Sequence, residues 1–124
     1  MDWVDDNVSV GGWRDAITSS RLRNTGADFV VDARALFDQV LYGYRRVPIV
    51  DRILRTADLL ATCSEKGPKI MIRCHHGRDR SPFVAMVYVS RKYDMNYRDA
   101  YVTVKQKVPR TVYHWDWVRL LEKG

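Results

Sequence analysis

Cysteine is scarce in this chain: Cys63 and Cys74 are the only two in 124 residues. Two thiols cannot build the disulfide framework on which small secreted domains rely, so stability must come from a hydrophobic core. A chain of this length can close such a core without disulfides or metals. No apolar run approaches the ~20 residues a membrane helix takes, which argues against a membrane-spanning protein. The opening Met1-Asp2-Trp3-Val4-Asp5-Asp6 lacks the basic-then-apolar order of a secretory signal. Internal repeats, low-complexity segments and a dividing linker are also missing, so residues 1–124 are expected to form one domain. A cytoplasmic monomer follows as the expectation, and a reducing compartment suits a reactive thiol.

What is present is an ordinary globular composition, 46% hydrophobic and 29% charged. Lysine and arginine number 21 against 15 acidic residues, a net charge of +6. The excess is spread along the chain. It favours anionic partners as a class, whether phosphoproteins, phosphoinositides or nucleic acid, and a solvated basic surface is the plain alternative. An arginine-rich tail and an aromatic-interleaved basic patch, the marks of an RNA track, are both missing.

Hydrophobic periodicity alternates between short strands and helices. Val8 to Val10 reads as an edge strand ending at Gly11-Gly12, and Arg14 to Ser20 as a short helix. Phe29 to Asp32, mostly β-branched or aromatic and preceded by the turn signal Asn24-Thr25-Gly26, reads as a second strand. Tyr44 to Val47 is a third, stopped by Pro48. Ile53, Leu54, Ala57, Leu60 and Ala61 keep a helical period until Gly67-Pro68 breaks it, and Cys63 on that helix is expected to be a buried thiol. Lys69 to Ile72 is a short buried strand, and Pro82 opens the apolar run Phe83 to Val89. Asn96 caps a helix with Tyr97, Ala100, Tyr101 and Val104 on one face, ended by Pro109, and a last helix runs from about Tyr113 to Leu121. Tyr42, Tyr44, Trp115 and Trp117 read as core more readily than as base-stacking platforms. Such alternation predicts an α/β layer architecture with a ligand loop at a strand's carboxyl end.

The densest signal is Cys74-His75-His76-Gly77-Arg78-Asp79-Arg80-Ser81, between the strand at Ile70 and the helix at Pro82. Five residues separate Cys74 from Arg80. Backbone N–H groups in such a turn, with the helix N-terminal dipole behind them, converge on an anion. A cysteine thiolate is a nucleophile, Gly77 lets the backbone close around a phosphate, and Arg80 offers a planar fork for two oxygens. A zinc site built from Cys63, Cys74, His75 and His76 is disfavoured, because adjacent Cys-His-His lacks the gaps typical of structural zinc ligands.

Over nearly its whole length the chain resembles a compact dual-specificity phosphatase of the cysteine-dependent protein tyrosine phosphatase superfamily. The segments VSVGGWRDA, FVVDAR, RVPIVD, CHHGRDRS and YDMNYRDAYVTVKQK carry the likeness. Rhodanese-like loops are one residue shorter between Cys and Arg, and low-molecular-weight phosphatases place the loop near the N-terminus. The resemblance implies a central, mostly parallel sheet of four to five strands flanked by helices, with no cofactor and no metal. It also implies that Cys74 attacks phosphorus and forms a phosphocysteine, while Arg80 and the loop positions His75, His76, Gly77, Arg78 and Asp79 hold the phosphate. Ser81 would assist the sulfur as leaving group, although a helix N-cap before Pro82 is its simpler role. Asp51 falls where the family carries its general acid, with a helix cap as the plain alternative. Asp79 is the rival, since several lipid-directed relatives have a similar G-basic-D-R pattern. The family usually places His before the nucleophile, whereas this chain has Arg73. Phosphotyrosine and phosphoserine or phosphothreonine proteins are the leading substrates. Anionic lipid headgroups and RNA 5′ ends are alternatives, as is a catalytically weak phosphate reader.

Overall fold

The structure is a computed structural model, which describes residues 1–39 and 46–123. Four strands form one sheet in the order β1-β2-β6-β3: β1 (Asp2–Trp3), β2 (Val8–Gly11), β6 (Ile70–Arg73) and β3 (Phe29–Asp32). β2 and β3 run parallel to β6 on either side of it, and β1 is antiparallel to β2. A separate two-stranded ribbon joins β4 (Phe37–Gln39) to β5 (Arg46–Pro48). The helices are α1 (Ser19–Asn24), α2 (Val50–Ser64), α3 (Arg80–Tyr93), α4 (Tyr97–Lys107) and α5 (Trp115–Lys123). This is the expected α/β architecture with a mostly parallel sheet.

Strands buried on both faces carry continuous apolar runs, as β6 does through Ile70, Met71 and Ile72, while β2 is buried throughout and interrupts its run with Ser9. Val8, Val10, Met71 and Ile72 are fully buried, whereas Phe29 on the outer strand β3 is largely exposed. Helix α3 packs on β2 and β6 and lies against both α2 and α4. That position explains a helix apolar all round, buried from Arg80 to Val89. Phe83 is its centre, with edge-on contacts to Phe37, Tyr101 and Trp117 at ring separations of 6.1, 6.0 and 5.4 Å. Asp94 ends α3 in the left-handed region at φ 52°, and Asn96 caps α4 by accepting the Asp99 amide at 2.9 Å.

Several expectations need correction. Val8 to Val10 is an inner strand, because β1 covers its outer side. The stretch expected as one helix from Arg14 to Ser20 divides into a 3-10 turn at Trp13–Ala16 and α1 from Ser19, with the Thr18 hydroxyl accepting the Arg21 amide at the new start. The strand expected at Tyr44 to Val47 runs Arg46–Pro48 as described. Tyr42 and Tyr44 lie outside the described residues. Cys63 is exposed: the inward stripe of α2 is Ile53, Ala57, Leu60 and Ser64, and Cys63 sits one residue off it. No helix among the described residues is long and apolar enough to cross a membrane.

One polar cluster ties the first turn to the central helix. The Asp5 carboxylate accepts the Tyr88 hydroxyl at 2.6 Å, the Tyr93 hydroxyl at 2.7 Å, and the Asn7 and Val8 amides at 2.9 and 2.8 Å. Lys92 Nζ lies 3.3 Å away. Burial alone would push the carboxyl up, but these hydrogen bonds outweigh it and hold Asp5 below its ordinary 3.8. The same pairing pushes the Tyr93 phenol up to about 12, with its own desolvation the largest cause. Because the folded value is the lower one, the stabilisation is complete above the unfolded value of 3.8 and fades as pH falls through the folded value. Asp5→Asn is expected to cost about 1–3 kcal/mol near neutrality by leaving buried donors short of an acceptor. Urea unfolding should show the gap between wild type and variant narrowing in acid.

Candidate active site

β6 carries Ile70, Met71 and Ile72 through the core, and the chain then turns through residues 74–79 before entering α3 at Arg80. The turn depends on Gly77, whose φ is +69°. A Cβ there would lie 2.9 Å from the Gly11 carbonyl carbon and 2.9 Å from Arg110 Nη2, so both conformation and space require glycine. The loop is braced from two sides. From the end of β2, the Gly11 carbonyl accepts the Cys74 amide at 3.2 Å, and the Trp13 amide donates to the His75 carbonyl at 3.1 Å. From the connection between α4 and α5, Arg110 Nε donates to the Gly77 carbonyl at 2.9 Å, and the Val112 amide to that of Arg78 at 2.8 Å.

Cys74 is buried at 2% exposure. Its Sγ lies 3.2 Å from the Ser81 hydroxyl and accepts the Gly77 amide at 3.2 Å. Burial by itself would push the thiol up. The Ser81 hydroxyl, the Ser81 and Gly77 amides and the charge of Arg80 together outweigh that cost, and the net shift is downward. The arrangement therefore favours thiolate. Ser81 is the second residue of α3, and the N-cap position belongs to Asp79, so the hydroxyl faces the sulfur and does not cap the helix.

Arg80 is buried at 8% exposure. Among the described residues its guanidinium has no hydrogen bond and no carboxylate partner, leaving its donors for an anion. Desolvation first, then the neighbouring Arg46 and Arg34, pull Arg80 down from its ordinary value. Arg73 turns away from this group. Its Nη1 reaches Asp32, its register partner on β3, at 3.4 Å, while its Nε is buried without a partner. The positive charge at position 73 is thus tied to the sheet and to a carboxylate that Arg34 holds from the other side at 2.7 Å.

A cavity of about 450 Å³ opens over the loop, with Cys74, His75, His76, Arg78, Asp79 and Arg80 on its walls. Every loop residue with a side chain that the sequence singled out therefore meets in one place. His75 and His76 are exposed and stand edge to face at 4.3 Å, with Trp13 stacked 6.1 Å from His75. Desolvation first, then the neighbouring His76 and the guanidinium groups of Arg80, Arg34 and Arg73, hold His75 below its usual value. Arg46, Asp116, Trp117 and His114 complete the cavity. A second cavity of about 590 Å³ shares Arg46, His75 and Arg80 with the first, and adds Arg34, Asp32 and Asp38.

Asp51 is not brought to this cavity. β5 ends at Pro48, Ile49 is the N-cap of α2 and Asp51 is exposed in its first turn, so only one residue joins that strand to the helix that holds Asp51. There it complements the helix dipole. Asp79, its rival, is on the wall. The groups that sequence reasoning missed are His114 and Asp116, which arrive from the turn before α5 and from that helix's first turn. Neither stands in a motif. They are placed by α5 folding back onto β5, where Trp117 Nε1 donates to the Arg46 carbonyl at 3.2 Å.

A thiol and a guanidinium stand at the ends of one loop, between a parallel strand and a buried helix, in an α/β fold that solved structures share. Human DUSP28 superposes with a TM-score of 0.74 at 18% identity, covering 98% of this chain and 92% of that one. A human tyrosine phosphatase-like serine/threonine/tyrosine-interacting protein gives 0.77 at 15% identity, covering 99% and 93%. Residues 28–123 match the family described as "Dual specificity phosphatase, catalytic domain", and the chain belongs to that family. Among curated proteins it is 27% identical over 115 residues to a probable rhodanese domain-containing dual specificity protein phosphatase of Dictyostelium discoideum, and 24% identical over 115 residues to dual specificity protein phosphatase 16 of Homo sapiens. The alignments cover 84% and 83% of this chain, but only 24% and 17% of those relatives.

Proposed function

We propose that the chain is a phosphoprotein phosphatase in which Cys74 forms a phosphocysteine intermediate. The observation that carries this reading is the environment of one sulfur atom: buried in the cavity, bonded by Ser81 and Gly77, shifted toward thiolate, with a guanidinium six positions on that has no partner among the described residues. In-line attack by Sγ places the three equatorial phosphate oxygens against the loop amides and Arg80. Ser81 then stabilises the sulfur as it leaves, when water displaces it.

The leaving oxygen emerges on the side opposite the sulfur, so its acid must reach into the cavity from there. Asp79 is the carboxyl favoured for this role, because it lines the cavity with Cys74, whereas Asp51 is not among the lining residues. Asp79→Asn is expected to lower kcat on phenyl phosphate by about 10²-fold or more, with little change on aryl phosphates whose leaving groups need no proton. Asp51→Asn is expected to leave both unchanged. The reverse pattern in steady-state rates would return the acid to Asp51.

Phosphotyrosine, phosphoserine and phosphothreonine in proteins are the proposed substrates. The second cavity favours one alternative, a substrate with a further phosphate such as a phosphoinositide headgroup, because Arg34, Arg46 and Arg80 border it and outnumber the carboxylates Asp32 and Asp38. Acid quench during turnover, followed by mass spectrometry, should find one phosphoryl group on the peptide containing Cys74. A panel of phosphopeptides, soluble phosphoinositides and 5′-triphosphorylated RNA then ranks the substrates by kcat/KM.

A further inference from the structure

Among the described residues, His114 is the titratable group on the cavity wall that makes a close hydrogen bond to another wall carboxyl. Its Nε2 lies 2.8 Å from Asp79 Oδ1, and the two side chains retain 25% and 35% exposure. Ring and backbone are each held once more. The ring stacks on Trp117 with 3.7 Å between centroids and 12° between planes, and the backbone amide donates to the Tyr101 hydroxyl at 3.2 Å. Such definition is more than a solvent-facing histidine needs, and it keeps a nitrogen on the carboxyl that the mechanism asks to carry a proton.

From this geometry we infer that His114 and Asp79 act as one acid, holding a single proton between Nε2 and Oδ1 and delivering it to the leaving oxygen. The inference rests on the phosphocysteine reading and deepens it. As Sγ bonds to phosphorus, the phosphorus–oxygen bond breaks with its electron pair on the leaving oxygen, which takes the shared proton. In the second step water attacks phosphorus, its proton returns to the pair, and the sulfur departs as thiolate with its electron pair. The surroundings suit a site that cycles between the two states. Arg78 Nε stands 3.5 Å from Asp79 Oδ2 and supports the carboxylate once the proton has gone. His76, Arg46, Arg80, Cys74 and Asp116 face the same cavity.

His114→Gln keeps a hydrogen-bonding group toward Asp79 but cannot hold the proton. It is expected to lower kcat on phenyl phosphate by about 10²-fold, to leave an activated aryl phosphate nearly unaffected, and to remove the alkaline limb of the kcat profile on the poor substrate. The double variant with Asp79→Asn should be no slower than either single one, since one proton can be lost only once. His114→Asn is made alongside, so that a folding defect in one variant, read from its urea midpoint, leaves the other to report. Equal losses on both substrates, no loss on either, or additive losses in the double variant would overturn the shared acid and leave the phosphocysteine reading standing. Turnover surviving in Cys74→Ser would instead remove the reading beneath it.

Discussion

Cys74→Ser is expected to abolish phosphatase turnover, lowering kcat on an activated aryl phosphate by at least about 10⁴-fold, without loss of the fold. Serine is smaller by little and keeps a contact with the Ser81 hydroxyl. Everything that assists the sulfur, however, assists it as an anion. The Gly77 amide, the Ser81 hydroxyl and the Arg80 charge pull a thiol toward thiolate, and the same shift leaves a serine hydroxyl far from ionised near pH 7. Phosphate or vanadate binding should survive in the variant, because Arg80 and the loop amides are untouched. The measurement is a rate with chelator present, paired with calorimetric titration of the anion into both proteins. Retained turnover would mean that the sulfur is not the nucleophile; lost binding as well would mean that the loop had rearranged.

Phe83→Ala is expected to have the largest effect on stability, about 3–5 kcal/mol, out of the 5–15 kcal/mol typical of a domain. The side chain is fully buried and meets three other rings edge-on or nearly so. Those rings belong to β4, α4 and α5, so truncation opens a void where four elements converge and also removes favourable ring–ring geometry. Denaturant unfolding followed by tryptophan fluorescence checks the size. The partners rank the other substitutions. Loss at Trp117 should act on stability and on the cavity wall together, since this ring supports both Phe83 and His114.

The legible parts of the molecule were those whose cause is local. The spacing from Cys74 to Arg80 is set within one loop, and the structure brings those side chains to one cavity, with Ser81 buried behind the sulfur. The Asn96 cap, the break at Gly67-Pro68 and the buried β6 run follow from short-range rules in the same way. What could not be read depends on partners distant in sequence. Val8 to Val10 looked like an edge because the strand beside it is two residues long and carries no alternation. Cys63 looked buried because its helix is amphipathic, yet the stripe passes through Ser64. Asp51 matched a segment of family pattern, but with Ile49 alone between β5 and α2, helix geometry claims it. His114 carried no sequence signal: its partner Asp79 is 35 residues away, and the two meet only after α4 and α5 have packed.

The bracing of the loop has a consequence for folding. Cys74 is held through Gly11 near one end of the chain and Gly77 through Arg110 near the other, so the loop closes only after segments far apart in sequence have met. Contacts of that range form late and break together. The sulfur should therefore acquire its low pKa in step with global folding and lose it in step with unfolding. A partly folded chain then exposes an ordinary thiol in place of an activated nucleophile, which protects an incompletely assembled molecule from adventitious alkylation and oxidation.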